Sequence, residues 1–196
     1  MRLIIATNNA GKLAEYKKLL TMFEVVGLKD LNLNIDIDET GETFHENVQL
    51  KINGIYKFFV KDFVLADDSG LVVNALNGEP GIFSARYAGN HDDLANIKKV
   101  LDKLKNSNDR SAYFHNEIIL RSPNGFEITA IGETFGKILE QPVGKNGHGY
   151  DPIFYSDDLK KSFGMASMGE KNLVSHRGRA VKQLLEEIKE NEKLLF

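Results

Sequence analysis

The stretch FVLADDSGLVVNA, residues 63–75, decides the fold class that the sequence predicts. Phe63 to Ala66 is an apolar run typical of a buried strand, and Leu71 to Ala75 is a second run that we interpret as a partner strand. The polar residues between the two runs include Asp67 and Asp68. Because two carboxylates at the end of an apolar strand are costly without partners, they predict a functional site at this point.

Strands and helices alternate on either side of this stretch. Arg2 to Ala6 is another short apolar run, and the β-rich segments Ala112 to Leu120 and Phe126 to Phe135 flank a Pro-Asn-Gly turn, which predicts a hairpin. Helical spacing of apolar residues predicts four helices: Leu13 to Phe23, Thr43 to Phe59, Asp92 to Lys105 (through Leu94, Ile97, Leu101 and Leu104) and Val181 to Ile188. This alternation predicts an α/β protein with a mixed sheet.

The composition excludes several classes of protein. A chain of 196 residues with a net charge of −3 suits one domain, residues 1–196, and argues against a broad nucleic-acid surface, which needs clustered lysine and arginine. The absence of cysteine excludes disulfides, thiol nucleophiles and zinc–thiolate sites. No apolar run approaches the roughly 20 residues that span a bilayer, and the first residues do not resemble a signal peptide. We therefore expect a soluble, cytoplasmic protein without a membrane partner.

The segment ATNNAGK, residues 6–12, follows a strand and opens a helix. Free backbone N–H groups at a helix start attract an anion, and Lys12 adds a positive charge at the same place. The alternative is an ordinary turn in which Asn9 caps the helix.

The segment DETGETFHENVQLK, residues 38–51, contains a second helix start. Thr43 and Glu46 have the spacing of a capping box, which explains Glu46 but not Glu39. Lys51 is four residues beyond Asn47, on the same helix face, and is either solvated or in contact with phosphate.

The segment LADDSGL, residues 65–71, is the sharpest local signal for chemistry. Side chains alternate along a strand, so only one of Asp67 and Asp68 should face a given site. Carboxylates at a strand end suit Mg²⁺, which binds few carboxylates together with substrate phosphates. A polar turn with local hydrogen bonds is the alternative.

Two glycine-containing segments offer further ligand contacts. In GEPGIFSARYAG, residues 78–89, Arg86 either binds phosphate or pairs with a carboxylate. In GKNGHGYDPIF, residues 144–154, glycines let the backbone approach a ligand, and His148 and Tyr150 offer flat faces for a purine. Asp151 precedes a proline, which holds it extended, although a structured surface loop is the plainer interpretation.

The last informative segment is GEKNLVSHRGRA, residues 169–180. Ser175 is a suitable cap for the final helix, so His176 and Arg177 fall in its first turn. Together with Lys171, these donors flank one helix start and favour a ligand site.

The six motifs together, in this order, resemble the inosine triphosphate pyrophosphatase family. The resemblance covers nearly the whole chain, from Ala6 to about Arg179, and depends on ATNNAGK, ETGETFHEN, ADDSGL, PGIFSARY, GYDPIF and EKNLVSHRG. It implies two lobes around a long mixed β-sheet with flanking helices, an active site in the central cleft, and usually a homodimer. The implied activity is hydrolysis of non-standard purine nucleoside triphosphates (ITP, dITP, XTP) to the monophosphate and pyrophosphate.

The resemblance also implies roles for individual residues. Glu39 and Asp68 would bind Mg²⁺, and Asp68 would also orient or deprotonate the attacking water, with Lys51 as the second catalytic residue. The implied contacts with the purine nucleotide are Thr7, Asn8, Asn9, Lys12, Ser69, Arg86, His148, Gly149, Tyr150, Asp151, Lys171, His176 and Arg177. Thr7, Asn9 and Lys12, together with Lys51, would hold the triphosphate. The residues that would enclose the base are His148, Asp151, Lys171, His176 and Arg177.

One position departs from the family pattern. Residue 148 is histidine, where the family commonly has an aromatic residue such as phenylalanine. An imidazole is smaller and titrates near neutrality, which puts the strength of base stacking in question rather than the chemistry.

Three other functions are compatible with parts of the sequence. A related pyrophosphatase acting on pyrimidine or modified nucleotides would differ in the base pocket. A nucleotide-binding regulatory module would lack a metal ligand or water-positioning group, whereas Glu39, Lys51 and Asp68 are all present. A purely structural protein would not explain polar residues gathered at strand ends and helix starts.

Overall fold

The computed structural model describes residues 1–33, 35, 37–89 and 91–195. Its strands are β1 (Arg2–Ile5), β2 (Glu24–Gly27), β3 (Phe63–Val73), β4 (Ser111–Arg121), β5 (Glu127–Ile138), β6 (Phe154–Ser156) and β7 (Lys161–Ser162). Within the described residues they form one seven-stranded sheet in the order β2-β1-β3-β4-β5-β6-β7. β1 pairs in parallel with β2 and β3, whereas β6 is antiparallel to β5 and β7. The predicted α/β fold with a mixed sheet is therefore confirmed.

Several helices are preceded by a residue whose side chain accepts from the first backbone N–H groups. They are α1 (Ala10–Leu19), α2 (Phe44–Tyr56), α3 (Asp93–Lys103), α4 (Met168–Val174), α5 (His176–Glu190) and α6 (Glu192–Leu195). Asn9, Thr43 and Asp92 cap α1, α2 and α3 through side-chain oxygens. Asn9 and Thr43 each satisfy one backbone donor at a helix start and Asp92 satisfies two, which is why these helices begin where they do.

β3 is one continuous strand from Phe63 to Val73, so the prediction of two strands separated by a polar segment is wrong. The polar residues did not need a turn, because Asp67 and Asp68 each find a lysine partner while remaining extended. Gly70 also lets another backbone segment come close, since a Cβ there would lie 2.2 Å from the Gly81 carbonyl oxygen.

The chain divides into two compact units. Unit 1 comprises Met1–Asp68, Asn116–Gly132 and Arg179–Phe196. Its core has two apolar clusters. One includes Leu65 of β3 and Tyr16 of α1, and the other includes Val64 of β3 and Val48 of α2. Because successive side chains alternate across a strand, β3 buries one face against each cluster.

Unit 2 comprises Ser69–His115 and Glu133–Gly178. Its core includes Leu71 and Phe114 from the sheet, Ile97 and Val100 from α3, and an aromatic group of Phe154 and Phe163. Leu94, one of the apolar residues whose spacing predicted α3, is 77% exposed. It lies in the first turn of α3, two residues beyond the capping residue Asp92.

The predicted hairpin is confirmed as β4 and β5. The backbone N–H of Ser122 donates to Phe126 O, and that of Gly125 donates to Ser122 O. The short connection requires the two strands to be antiparallel.

In the part of the chain that the structure describes, no helix combines the length and apolar character needed to cross a membrane. The predicted position of the active site in a central cleft stays a prediction.

The difference between Ile97 and Leu94 gives a test of the packing of α3. Ile97 is 5% exposed, so Ile97→Ala should lower the free energy of unfolding by about 2–4 kcal/mol, because it leaves a cavity. Leu94→Ala on the same helix should change it by less than about 0.5 kcal/mol. Urea unfolding monitored by circular dichroism measures both. Equal losses would show that α3 packs on a different face.

Candidate active site

The loop between β1 and α1 holds itself in place through its own side chains. Asn9 Oδ1 accepts from the backbone N–H of Lys12 at 3.1 Å, and Thr7 Oγ1 accepts from the backbone N–H of Asn9 at 3.1 Å. Asn8 Nδ2 donates to the carbonyl of Ile35 at 3.1 Å. These contacts fix the loop, and they include the helix cap that was the structural alternative for this segment.

Lys12 extends from α1 to the first of the two β3 carboxylates. Its Nζ lies 2.9 Å from Asp67 Oδ2, and the two side chains are 15% and 1% exposed. An ammonium group at a helix start beside a buried carboxylate provides a fixed positive charge for an anionic ligand.

Lys51 is the centre of a second, larger group in unit 1. Its Nζ lies 2.9 Å from Glu39 Oε1 and 3.1 Å from Asp68 Oδ1, and it donates to the Asp67 carbonyl at 2.9 Å. The side chain of Lys51 is 11% exposed and that of Asp68 is 5% exposed. The structure therefore brings together the two predicted metal ligands and the predicted catalytic lysine.

Asn47 belongs to this group although the sequence did not single it out as a site residue. It is fully buried; Nδ2 donates to Asp68 Oδ2 at 3.4 Å, and Oδ1 accepts from the backbone N–H of Gly41 at 2.9 Å. A Cβ on Gly41 would lie 2.8 Å from that amide oxygen, so the close turn favours glycine. The four-residue spacing of Asn47 and Lys51 was the signal that placed both on one helix face.

Burial and charge act against each other on the Lys51–Asp68 pair. For Asp68, burial is the largest influence and raises the pKa above that of an exposed aspartate, although Lys51 and Lys12 oppose it. For Lys51, burial is again the largest single influence and lowers the pKa. The combined attraction of Asp68, Glu39 and Asp67 outweighs it, so the pKa of Lys51 is raised. The ammonium group therefore remains charged at neutral pH.

The carboxylates of Glu39 and Asp68 fit a hard divalent cation. Both approach the ammonium of Lys51 to about 3 Å, so they already converge on one positive group. Among the described residues, no group of three or more histidine, aspartate or glutamate side chains is suited to hold a metal ion. A cation held by two carboxylates would complete its shell with water and ligand phosphates, as Mg²⁺ does.

In unit 2, a buried ion pair organises the glycine-containing loop. Lys171 Nζ lies 2.6 Å from Asp151 Oδ2, and the two side chains are 3% and 2% exposed. The same carboxylate oxygen accepts from the backbone N–H of His148 at 2.8 Å. A Cβ on Gly147 would lie 2.0 Å from it, so glycine is required at this turn, where φ is +78°.

Tyr150 is held in the core of unit 2 rather than presented as an open flat face. It is 4% exposed, and its hydroxyl donates to the Ser84 carbonyl at 2.8 Å. The sequence predicted that the Tyr150 ring offers a flat face for a purine, whereas the ring is buried in the protein. His148, by contrast, is only partly buried.

The start of α5 gathers the last predicted residues. Ser175 Oγ accepts from the backbone N–H of Gly178 at 3.1 Å, which confirms the predicted cap. The ring of His176 stacks on Phe114 with centroids 4.7 Å apart and an interplanar angle of 20°. Arg177 is fully buried, and its Nη2 donates to Ser69 Oγ at 3.2 Å.

Arg86 lies on a different part of unit 2. Its guanidinium is 5.3 Å from the centroid of the Phe83 ring, a cation–π contact on a half-exposed surface. The assignment of Arg86 to the substrate stays a prediction. Sequence reasoning missed two residues that contact the predicted ones. Phe114 stacks on His176, and the carboxylate of Asp93 accepts from the backbone N–H of Gly149 at 2.8 Å.

The α/β sheet holds lysines paired with carboxylates, and a glycine loop and a helix start rich in cations accompany them. Such features are typical of enzymes that act on phosphorylated ligands. The chain belongs to the Ham1 family, whose model matches residues 3–187. This match, together with relatives named for pyrophosphatase activity, confirms the family that the ordered motifs predicted.

Two curated relatives and two solved structures illustrate the similarity. The dITP/XTP pyrophosphatase of Leuconostoc mesenteroides is 47% identical over 190 residues, 94% of each chain. That of Clostridium perfringens is 44% identical over 198 residues, 96% of this chain and 97% of the relative. The Ham1 protein of Staphylococcus aureus has a TM-score of 0.85 at 42% identity, covering 97% of this chain and all of that one. The Ham1 protein of Coxiella burnetii has a TM-score of 0.84 at 40% identity and covers 97% of this chain and 99% of that one.

The buried pair in unit 2 should be a large contributor to stability. Lys171→Met leaves Asp151 buried without its ammonium partner and should lower the free energy of unfolding by about 3 kcal/mol. Thermal unfolding followed by calorimetry measures the loss. Lys161→Met is the control, because it removes an exposed pair with Glu170 and should leave the midpoint nearly unchanged. Equal shifts in the two variants would contradict the importance of the buried pair.

Proposed function

We propose that this chain hydrolyses non-standard purine nucleoside triphosphates (dITP, ITP and XTP) to the monophosphate and pyrophosphate. Two curated relatives named dITP/XTP pyrophosphatase share more than 40% of their residues with this chain over nearly full length, which supports the assignment. The observation that carries it is the convergence of Glu39 and Asp68 on the ammonium group of Lys51. Such a group combines acidic metal ligands, a fixed positive charge and a candidate base.

The residues of unit 1 bind the triphosphate in this proposal. Thr7, Asn8 and Asn9 provide a rigid loop at the start of α1, whose backbone N–H groups and positive end attract phosphate. Lys12 and Lys51 neutralise charge that develops on the phosphate oxygens. Mg²⁺, held by Glu39 and Asp68, would supply further charge neutralisation and polarise the phosphoanhydride.

Asp68 is the proposed group that orients and deprotonates the attacking water. The water gives a proton to Asp68 while its oxygen bonds to the α-phosphorus; the bond from the α-phosphorus to the bridging oxygen breaks, and pyrophosphate leaves with that oxygen. Burial raises the pKa of Asp68 above that of an exposed aspartate, against the opposing effect of Lys51 and Lys12. Asn47 donates to the second oxygen of Asp68 and so restricts the orientation of the carboxylate.

The residues of unit 2 bind the base in this proposal. His148 provides a stacking surface on a loop whose conformation Gly149, Tyr150 and Asp151 maintain. Lys171 and the α5 start with His176 and Arg177 provide donors for the 6-keto oxygen of hypoxanthine or xanthine. Adenine would leave those donors facing an amino group, which can lower the efficiency on the order of 10⁴-fold. Ser69 is a contact from β3, and Arg86 is assigned to the substrate only by the family resemblance.

The proposed reaction can be tested by pyrophosphate release. We expect fast Mg²⁺-dependent release from ITP, dITP and XTP and little from ATP. Asp68→Asn should lower kcat by at least about 100-fold, because it removes the base and a metal ligand. Asp67→Asn is the matched comparison, since its carboxylate partners Lys12 instead, and it should raise KM more than it lowers kcat.

The outcomes separate this proposal from its alternatives. Release only from dTTP or UTP would move the assignment to a pyrimidine pyrophosphatase. No release from any nucleotide, with retained nucleotide binding, would favour a regulatory binding module. A larger loss of kcat in Asp67→Asn than in Asp68→Asn would contradict the assignment of the base.

We also propose a homodimer in the cytoplasm, without a nucleic-acid or membrane partner. An exposed side of β5 supports the dimer: positions 129, 131, 135 and 137 are all exposed. Phe135 on this side is 52% exposed, and its ring lies 5.5 Å from that of Tyr113. Ile131 and Phe135 are the two apolar residues of this side, 46% and 52% exposed, and they are the proposed contacts between the subunits.

The dimer can be tested by sedimentation velocity. The wild type should sediment as a dimer, and Phe135→Ser should shift it toward the monomer, because the substitution removes an aromatic contact from the interface. Phe58→Ser, at a residue that is 57% exposed just beyond α2, is the control and should leave the dimer intact. A monomeric wild type would make the proposal wrong.

A further inference from the structure

We propose that Asp93 is a positioning residue for base binding, which it serves by fixing the peptide that joins His148 to Gly149. Its Oδ2 accepts a hydrogen bond from the backbone N–H of Gly149 at 2.8 Å. The part of this inference that concerns the base rests on the proposed function. The contact itself is independent of any ligand.

Two consecutive N–H groups of the loop bind different carboxylates. His148 N–H donates to Asp151 Oδ2, and Gly149 N–H donates to Asp93 Oδ2, both at 2.8 Å. Asp151 is in turn fixed by its buried pair with Lys171. The backbone on both sides of the His148 side chain is therefore held by charged acceptors, which form stronger hydrogen bonds than neutral ones. Loss of either acceptor would loosen the backbone that carries the imidazole.

Asp93 is available for this role because its neighbour caps the helix. Asp92 Oδ1 accepts from the backbone N–H groups of Leu94 and Ala95 at 2.9 and 3.1 Å. The carboxylate of Asp93, the first residue of α3, is therefore not required for the cap and reaches the loop. α3 is a rigid support, since Ile97 and Val100 lie in the core of unit 2.

The glycines of the loop allow its backbone several conformations, so a contact from outside the loop helps to select one of them. Gly149 has a φ of +58° and Gly147 a φ of +78°. Glycines lose more conformational freedom on ordering than other residues, so a loop built on them is costly to hold in one shape. A Cβ on Gly149 would have nothing within 4 Å, so packing does not restrict it. The carbonyl of the His148–Gly149 peptide accepts from the backbone N–H of Asp151 at 3.3 Å, and the bond to Asp93 restrains the N–H of the same peptide.

Steady-state kinetics with ITP test the role in base binding. Asp93→Ala should raise KM about 5- to 20-fold, as expected for one lost charged hydrogen bond, and leave kcat within about twofold. Asp93→Asn should restore most of the affinity, because its amide oxygen still accepts from Gly149. Asp102→Ala removes another exposed carboxylate of α3, paired with Lys98, and should behave as wild type. A loss in kcat with unchanged KM, or an equal effect of Asp102→Ala, would overturn the proposal.

Amide hydrogen exchange tests the contact without any nucleotide. The Gly149 amide should exchange at least about 10-fold faster in Asp93→Ala than in the wild type or in Asp93→Asn. Equal exchange in wild type and Asp93→Ala would overturn the anchoring role whatever the kinetics. If Gly149 is protected as expected but the wild type releases no pyrophosphate, the proposed function fails while the anchoring of the loop is supported.

Discussion

The buried ammonium group of Lys51 is the interaction on which the site in unit 1 depends. It contacts Glu39, Asp68 and the Asp67 carbonyl within 3.1 Å, and without it two carboxylates would repel each other in a poorly solvated place. The cost of burying one charge is offset only when the opposite charge is close and hydrogen-bonded. Asn47 completes this arrangement from the preceding turn of the same helix, so α2 both satisfies the carboxylates and fixes their directions.

Unit 2 uses the same principle for a different purpose. Its buried pair, Lys171 with Asp151, does not gather acidic groups but holds a glycine loop through a backbone N–H. The fully buried guanidinium of Arg177 meets a hydroxyl, Ser69 Oγ, at the start of α5. In both units the charged side chains that the sequence singled out form ion pairs and hydrogen bonds within the protein. For this reason nearly every motif also had an interpretation in which its polar residues only stabilise the fold.

The sequence predicted the fold class, the family and the longer helices, because their apolar periodicity and caps are local features. The short strands β2, β6 and β7 were missed, since strands of two to four residues carry no period and these lack an apolar run as long as the one that predicted β1. β3 was divided in two because a polar segment inside a strand is compatible with a turn until its partners are known. The contact of Asp93 with Gly149 joins residues 56 positions apart, and the exposure of Leu94 depends on how α3 is rotated. Both features depend on tertiary structure, so no local sequence pattern predicts them.

The alternation of side chains along β3 limits how the length of this strand can vary. One face of β3 packs on the cluster that includes Tyr16 of α1, and the other on the cluster that includes Val48 of α2. Asp67 accordingly meets Lys12, and Asp68 meets Lys51. An insertion or deletion of a single residue before Asp67 would exchange the two faces, placing each carboxylate opposite the wrong lysine and each apolar side chain in the wrong cluster. Changes in chain length are therefore tolerated in the connections and not in this strand.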